Sequence, residues 1–117
     1  MLLFAARILL WSGVLHVVYG LVRFREPLLG AVGEGFVGRF MHDDTRRLAF
    51  WFVLIGPLLT LLGQLSLRAL DSGDLGLVRI VGTYLLAAAA VGVLAFPKSP
   101  LWSLLPIALI FVFAGRG

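Results

Sequence analysis

The sequence predicts an all-α polytopic membrane protein: an antiparallel bundle of four transmembrane helices, with a short interfacial helix between the first two. Three observations carry this. The 117-residue chain is 61% apolar and only 14% charged, against about 45–50% and about 25% in soluble domains. Four apolar stretches divide it, and most of its charges sit at the ends of those stretches. A chain this small has too little interior to hide such an excess from water. Lipid is the solvent that remains. The length corresponds to a single domain, residues 1–117.

The first helix is expected over residues 2–23. Its apolar run, Leu2 to Val22, is interrupted among polar groups only by Arg7, Ser12 and His16. A crossing of about 30 Å needs about 20 residues at about 1.5 Å each, and this run has them. Arg7 followed by an apolar run also suits a signal peptide. However, the run ends in Arg23-Phe24-Arg25 with no small-x-small cleavage site, so the helix is expected to be retained.

An interfacial loop follows over residues 24–45. Leu28, Leu29, Val32, Phe36, Val37, Phe40 and Met41 recur at near-helical spacing, with Glu34, Gly38 and His42 on the other face. That pattern predicts a short helix lying in the headgroup zone. Gly30, Gly33, Gly35 and Gly38 weaken it, at about 1 kcal/mol each relative to Ala, so a mobile flap is the alternative reading.

The second helix is expected over residues 46–68. Asp43 or Asp44 is placed to accept from its free N–H groups, and Pro57 is able to kink it. The third is expected over residues 76–96. Pro97 and Pro100 bracket Lys98 and Ser99 in a tight connection to the fourth, over residues 101–115. The fourth is short, with Pro106 inside it, and either spans a thinned region or forms a re-entrant or interfacial tail. Every span must be helical, because lipid offers no partner to a bare N–H or C=O. Trp51 and Trp102 lie near helix starts, where indoles prefer the headgroups.

The net charge is +4. Its cations are single or paired at helix ends, which suits anionic headgroups better than nucleic acid. Arg23, Arg25, Arg39, Arg46, Arg47 and Lys98 fall on one side; Arg7, Arg68, Arg79 and Arg116 fall on the other. The positive-inside rule then places the long loop in the cytoplasm and both termini outside, as a multi-pass protein of the plasma (inner) membrane. The absence of cysteine excludes disulfides, thiolate metal sites and cysteine nucleophiles. Two histidines exclude a multi-histidine metal site within one chain. No phosphate-binding glycine loop, HExxH, nucleophile elbow or haem-attachment motif occurs. No cofactor and no metal is expected.

His16 is the most informative residue. An ionisable group deep in a span is costly and faces the bundle interior with a partner. Ser12, His16, Tyr19, Gly20 and Arg23 share one helical face. The imidazole can serve as an acid–base group or as an interhelical hydrogen bond that locks packing. In the second helix Gly56, Thr60, Gly63 and Gln64 form a comparable stripe, with Gln64 able to bond across the bundle. In the third, Arg79, Thr83, Ala87 and Ala90 make a small-residue line, with Arg79 near enough to the end to snorkel. Glu34, His42, Asp43 and Asp44 have ligand chemistry, but a helix cap and a solvated segment account for them.

Trp11-Ser12-Gly13 with His16 and Gly20, Phe50-Trp51-Phe52 with Gly56-Pro57 and Gly63, and Pro97-Lys98-Ser99-Pro100-Leu101-Trp102 together resemble a family of small bacterial membrane proteins classed as a domain of unknown function. The resemblance covers nearly the whole chain. It implies a four-helix membrane protein and supplies no activity.

Three functions are compatible with these residues. The first is a membrane-embedded interaction or accessory protein, whose partner is another membrane protein or, as a homodimer, a second copy. The second is an intramembrane isomerase or cyclase acting on a lipophilic small molecule, with His16 as acid–base group and Tyr19 or Gln64 orienting the substrate. The third is a small transporter. Small multidrug exporters resemble the chain in size, yet they depend on an embedded carboxylate, and no carboxylate falls within the predicted spans.

Overall fold

The computed structural model describes residues 1–115. Arg116, counted above among the cations of one face, lies outside the described residues. Five α-helices follow in order: α1 Leu2–Arg23, α2 Arg25–Gly33, α3 Asp44–Ser72, α4 Leu75–Ala95 and α5 Leu104–Val112. A 3-10 turn, Pro100–Ser103, leads into α5, and no strand occurs among the described residues. Three helices, α1, α3 and α4, are long and apolar enough to cross a membrane. The apolar stretch Leu101–Val112 is shorter. Pro106 falls in the first turn of α5, where its missing N–H interrupts no helical bond.

The connections follow from local chemistry. Asp43 caps α3, its Oδ1 accepting from the backbone N–H of Thr45 at 2.9 Å and of Arg46 at 3.2 Å. At its far end α3 runs past Arg68 to Ser72 and stops at Gly73, whose φ is +77°. There the Asp74 N–H reaches back to the Ala69 carbonyl at 2.7 Å, in the manner of a Schellman closure. Asp74 then caps α4 by accepting from the Leu77 N–H at 3.0 Å. The Pro97–Ser99 corner is fastened by the Trp102 indole, which donates to the Pro97 carbonyl at 2.7 Å.

The chain divides into two compact units. One joins residues 1–10 to the chain from Leu61 onward. In it α5 runs back along α4. Gly82 of α4 faces Phe111 and Val112 of α5, and Gly92 faces Leu101. Arg79 donates to the Ala114 carbonyl at 2.7 Å, closing the end of α5 rather than reaching for water. Gly63 of α3 packs on Leu10 of α1. Val78 and Phe111 are fully buried. Ser66 is buried too and satisfies its hydroxyl on the Leu62 carbonyl at 2.8 Å.

The other unit is residues 11–60. It contains the second part of α1, α2, the loop to α3 and the first part of α3. Helix α2 ends at Gly33, because Gly35 (φ +108°), Phe36 (φ +69°) and Gly38 (φ +73°) turn the chain into left-handed backbone. The apolar spacing expected to continue as helix to Met41 is therefore a folded loop. Phe40 ties it to α3, its ring 5.2 Å from Phe36 and 5.3 Å from Phe50.

A Cβ added at Gly82 would lie 2.6 Å from the Phe111 Cβ and 2.7 Å from the Val112 nitrogen. Gly82→Leu is expected to destabilise the protein by about 1–3 kcal/mol. Gly33→Ala, which meets nothing within 4 Å, should change stability little. Thermal unfolding in detergent would read both.

Candidate functional site

The candidate site is built on Phe52 of α3. Three rings of the same unit gather around it: His16 stacks on it at 4.0 Å and 18°, Phe24 tilts against it at 5.3 Å, and Tyr19 at 5.8 Å. Glycine makes the room. A Cβ on Gly20 would come within 2.8 Å of the Phe52 ring. One turn before His16, Gly13 lies against the Gly56 carbonyl and Thr60, and a Cβ on Gly56 would sit 2.8 Å from the Gly13 carbonyl. The two helices thus touch backbone to backbone, which only residues lacking a side chain permit.

His16 is half-buried, and its Nε2 is buried with no hydrogen-bond partner among the described residues. One face of its ring is covered by Phe52. Tyr19 stands on the rim of the aromatic group and is 59% exposed. Gln64 belongs to the other unit and is exposed, with no hydrogen bond among the described residues. The stripe read as Gly56, Thr60, Gly63 and Gln64 therefore splits: both glycines are buried and Gln64 turns outward. Tyr84 of α4 is 76% exposed.

The acidic and basic groups of the loop bind one another. The Arg46 guanidinium pairs with the Glu34 carboxylate and donates to the Arg39 carbonyl at 3.2 Å. Arg39 donates back to the Glu34 carbonyl at 3.1 Å. Arg47 pairs with Asp44 and holds the Met41 carbonyl at 2.8 Å. No group of three His, Asp or Glu side chains disposed to hold a metal occurs among the described residues. The hydrogen bond from Arg46 is the main reason the Glu34 carboxyl is held below the ordinary carboxylate range.

The sequence model of a family of unknown function (DUF6463) matches residues 3–117. The chain belongs to that family. No curated protein and no solved structure matches it. In this DUF6463 chain the site is defined by its own residues. Three of them escaped the sequence reading: Phe52 as the hub, Arg46 as the clasp of the loop, and Arg79 as the tie on α5. Gly20, which faces Phe52, was the available signal for the first. Arg46 and Arg79 act on carbonyl and carboxylate groups 12 and 35 residues away, and spacing carries no trace of such pairs.

An unpartnered buried polar atom costs about 1–3 kcal/mol. His16→Phe keeps the stack and removes that atom, so it is expected to raise the unfolding free energy by about 1 kcal/mol. His16→Ala leaves a gap beside Phe52 and should lower it by about 2 kcal/mol. Chemical unfolding in mixed micelles would measure both.

A second expectation concerns pH. The folded-state pKa of Glu34 is depressed, so its tie to Arg46 is intact at neutral pH. It is lost as pH falls through that value, below the ordinary 4.5. A spin label at Val37→Cys should gain mobility in that acid range. Glu34→Gln should show the mobile spectrum at pH 7 and no acid transition.

Proposed function

We propose that this chain is an integral protein of the plasma membrane that crosses the bilayer four times and acts as an interaction or accessory protein. One observation supports this above others: three of its in-span polar side chains turn outward. Gln64 and Tyr84 are exposed, and Tyr19 stands at the rim. An enzyme for a lipophilic substrate would gather such groups around its acid–base residue. Here one ring face of His16 is taken by a phenylalanine. Outward polar groups in hydrocarbon have value when a partner's polar groups meet them.

The fourth crossing is supported by the tie from Arg79 to Ala114. It brings the end of α5 back to the level of the first turns of α4, opposite the Pro97–Ser99 corner. From Arg79 to Gly92, α4 rises about 20 Å, so the segment Leu101–Ala114 that lies along it returns across about 20 Å of about 30 Å of hydrocarbon.

The sequence has no native cysteine, so single cysteines report sidedness cleanly. Asp74→Cys and Arg116→Cys should label from one side of sealed vesicles and Lys98→Cys from the other. Labelling of Arg116→Cys together with Lys98→Cys would reduce the crossings to three. The interaction itself is tested by a photo-crosslinking residue at Tyr84 in native membranes. A discrete protein adduct is expected, and adducts with lipid alone would contradict the reading.

A further inference from the structure

Helix α3 carries a second feature that the aromatic hub does not use. Leu61, Gln64, Arg68 and Asp71 follow one another at spacings of three, four and three, and all four are exposed. At 3.6 residues per turn they fall within an arc of about 80°. This is the spacing of a coiled-coil seam. Among the described residues the side chains of Gln64, Arg68 and Asp71 make neither a hydrogen bond nor an ion pair.

Position along the helix sharpens the puzzle. The 29 residues of α3 extend about 43 Å, past both edges of about 30 Å of hydrocarbon. Its apolar run ends at Leu67, so Arg68 and Asp71 reach the headgroup zone and Gln64 lies about one turn inside it. A bare amide in that position faces lipid, which offers it no hydrogen bond.

We infer that this face is the seam of a parallel homodimer, a reading that rests on the interaction function proposed above. The occupant follows from chemistry. An amide is both donor and acceptor, so a second Gln64 across a two-fold axis satisfies it in both directions. Arg68 and Asp71 have opposite charges one turn apart. The same axis sets two arginines and two aspartates in an alternating ring, each Arg68 beside the partner copy's Asp71. Copies of one chain insert in one orientation, so the axis lies along the membrane normal and the two α3 helices run parallel. Leu61 packs against its counterpart below the amides. A polar residue within such a seam also fixes register.

The test is association of fluorescently labelled full-length chains in lipid vesicles at varied protein-to-lipid ratio, read by energy transfer. Gln64→Leu is expected to weaken dimerisation about tenfold, and Gln64→Asn to retain most of it. Arg68→Asp and Asp71→Arg should each weaken it, and the double exchange should restore it. All four positions are exposed, so helicity by circular dichroism should be unchanged throughout. A chain that stays monomeric at every ratio overturns the seam, and so does a dimer indifferent to Gln64→Leu and to the charge exchange. If the Tyr84 adduct with another protein persists in either case, the interaction function stands without the homodimer. Loss of both removes it too.

Discussion

The contact on which the rest of residues 11–60 depends is the approach of α1 and α3 at Gly13 and Gly56. Lipid tails are as apolar as leucine, so the hydrophobic effect does not press helices together in a bilayer. Close van der Waals packing must do it instead, and packing is closest where no side chain intervenes. A side chain on either glycine would run into the opposite backbone. Once these backbones meet, the next turns are fixed. Gly20 opens the space for Phe52, and His16 stacks on that ring. The aromatic group is thus built on the glycine contact.

This ordering explains how an imidazole is held in a span without a specialised environment. Its ring contributes stacking, while its buried Nε2 remains without a partner. Several other polar groups of the long helices are either self-satisfied or turned out. Ser66 and Thr83 bond to carbonyls one turn back on their own helices. Gln64 and Tyr84 are exposed. At the loop the logic reverses. There water competes, and the chain uses charge: Arg46, Arg39 and Arg47 bind loop carbonyls and carboxylates. They hold a segment whose left-handed backbone would not keep its shape through apolar packing alone.

Length and hydropathy made the long helices legible, because hydrocarbon thickness sets the number of residues a span must contain. The Asp43 cap and the Pro97–Ser99 corner were legible for a similar reason: each needs a particular residue type at a particular place. Direction around the helix was less so. Gly63 and Gln64 are neighbours in sequence, as are Tyr19 and Gly20, yet adjacent residues point about 100° apart. The glycines are buried, and Gln64 and Tyr19 are exposed. A stripe drawn through both members of such a pair is too wide by one residue. The end of α2 was hidden differently, since an apolar repeat continues through Phe36 while the backbone has already turned at Gly35.

The proposed function makes His16 a packing group and puts recognition on the outer surface. Its most direct test is the nitrogen-15 NMR spectrum of the His16 ring in nanodiscs, recorded before and after adding a total lipid extract of the source membranes. The prediction is ring resonances that do not move, because one face of the ring is stacked on Phe52 and its Nε2 is buried. Resonances that shift on addition of the extract would show a small molecule reaching His16, and would place the function inside the bundle instead.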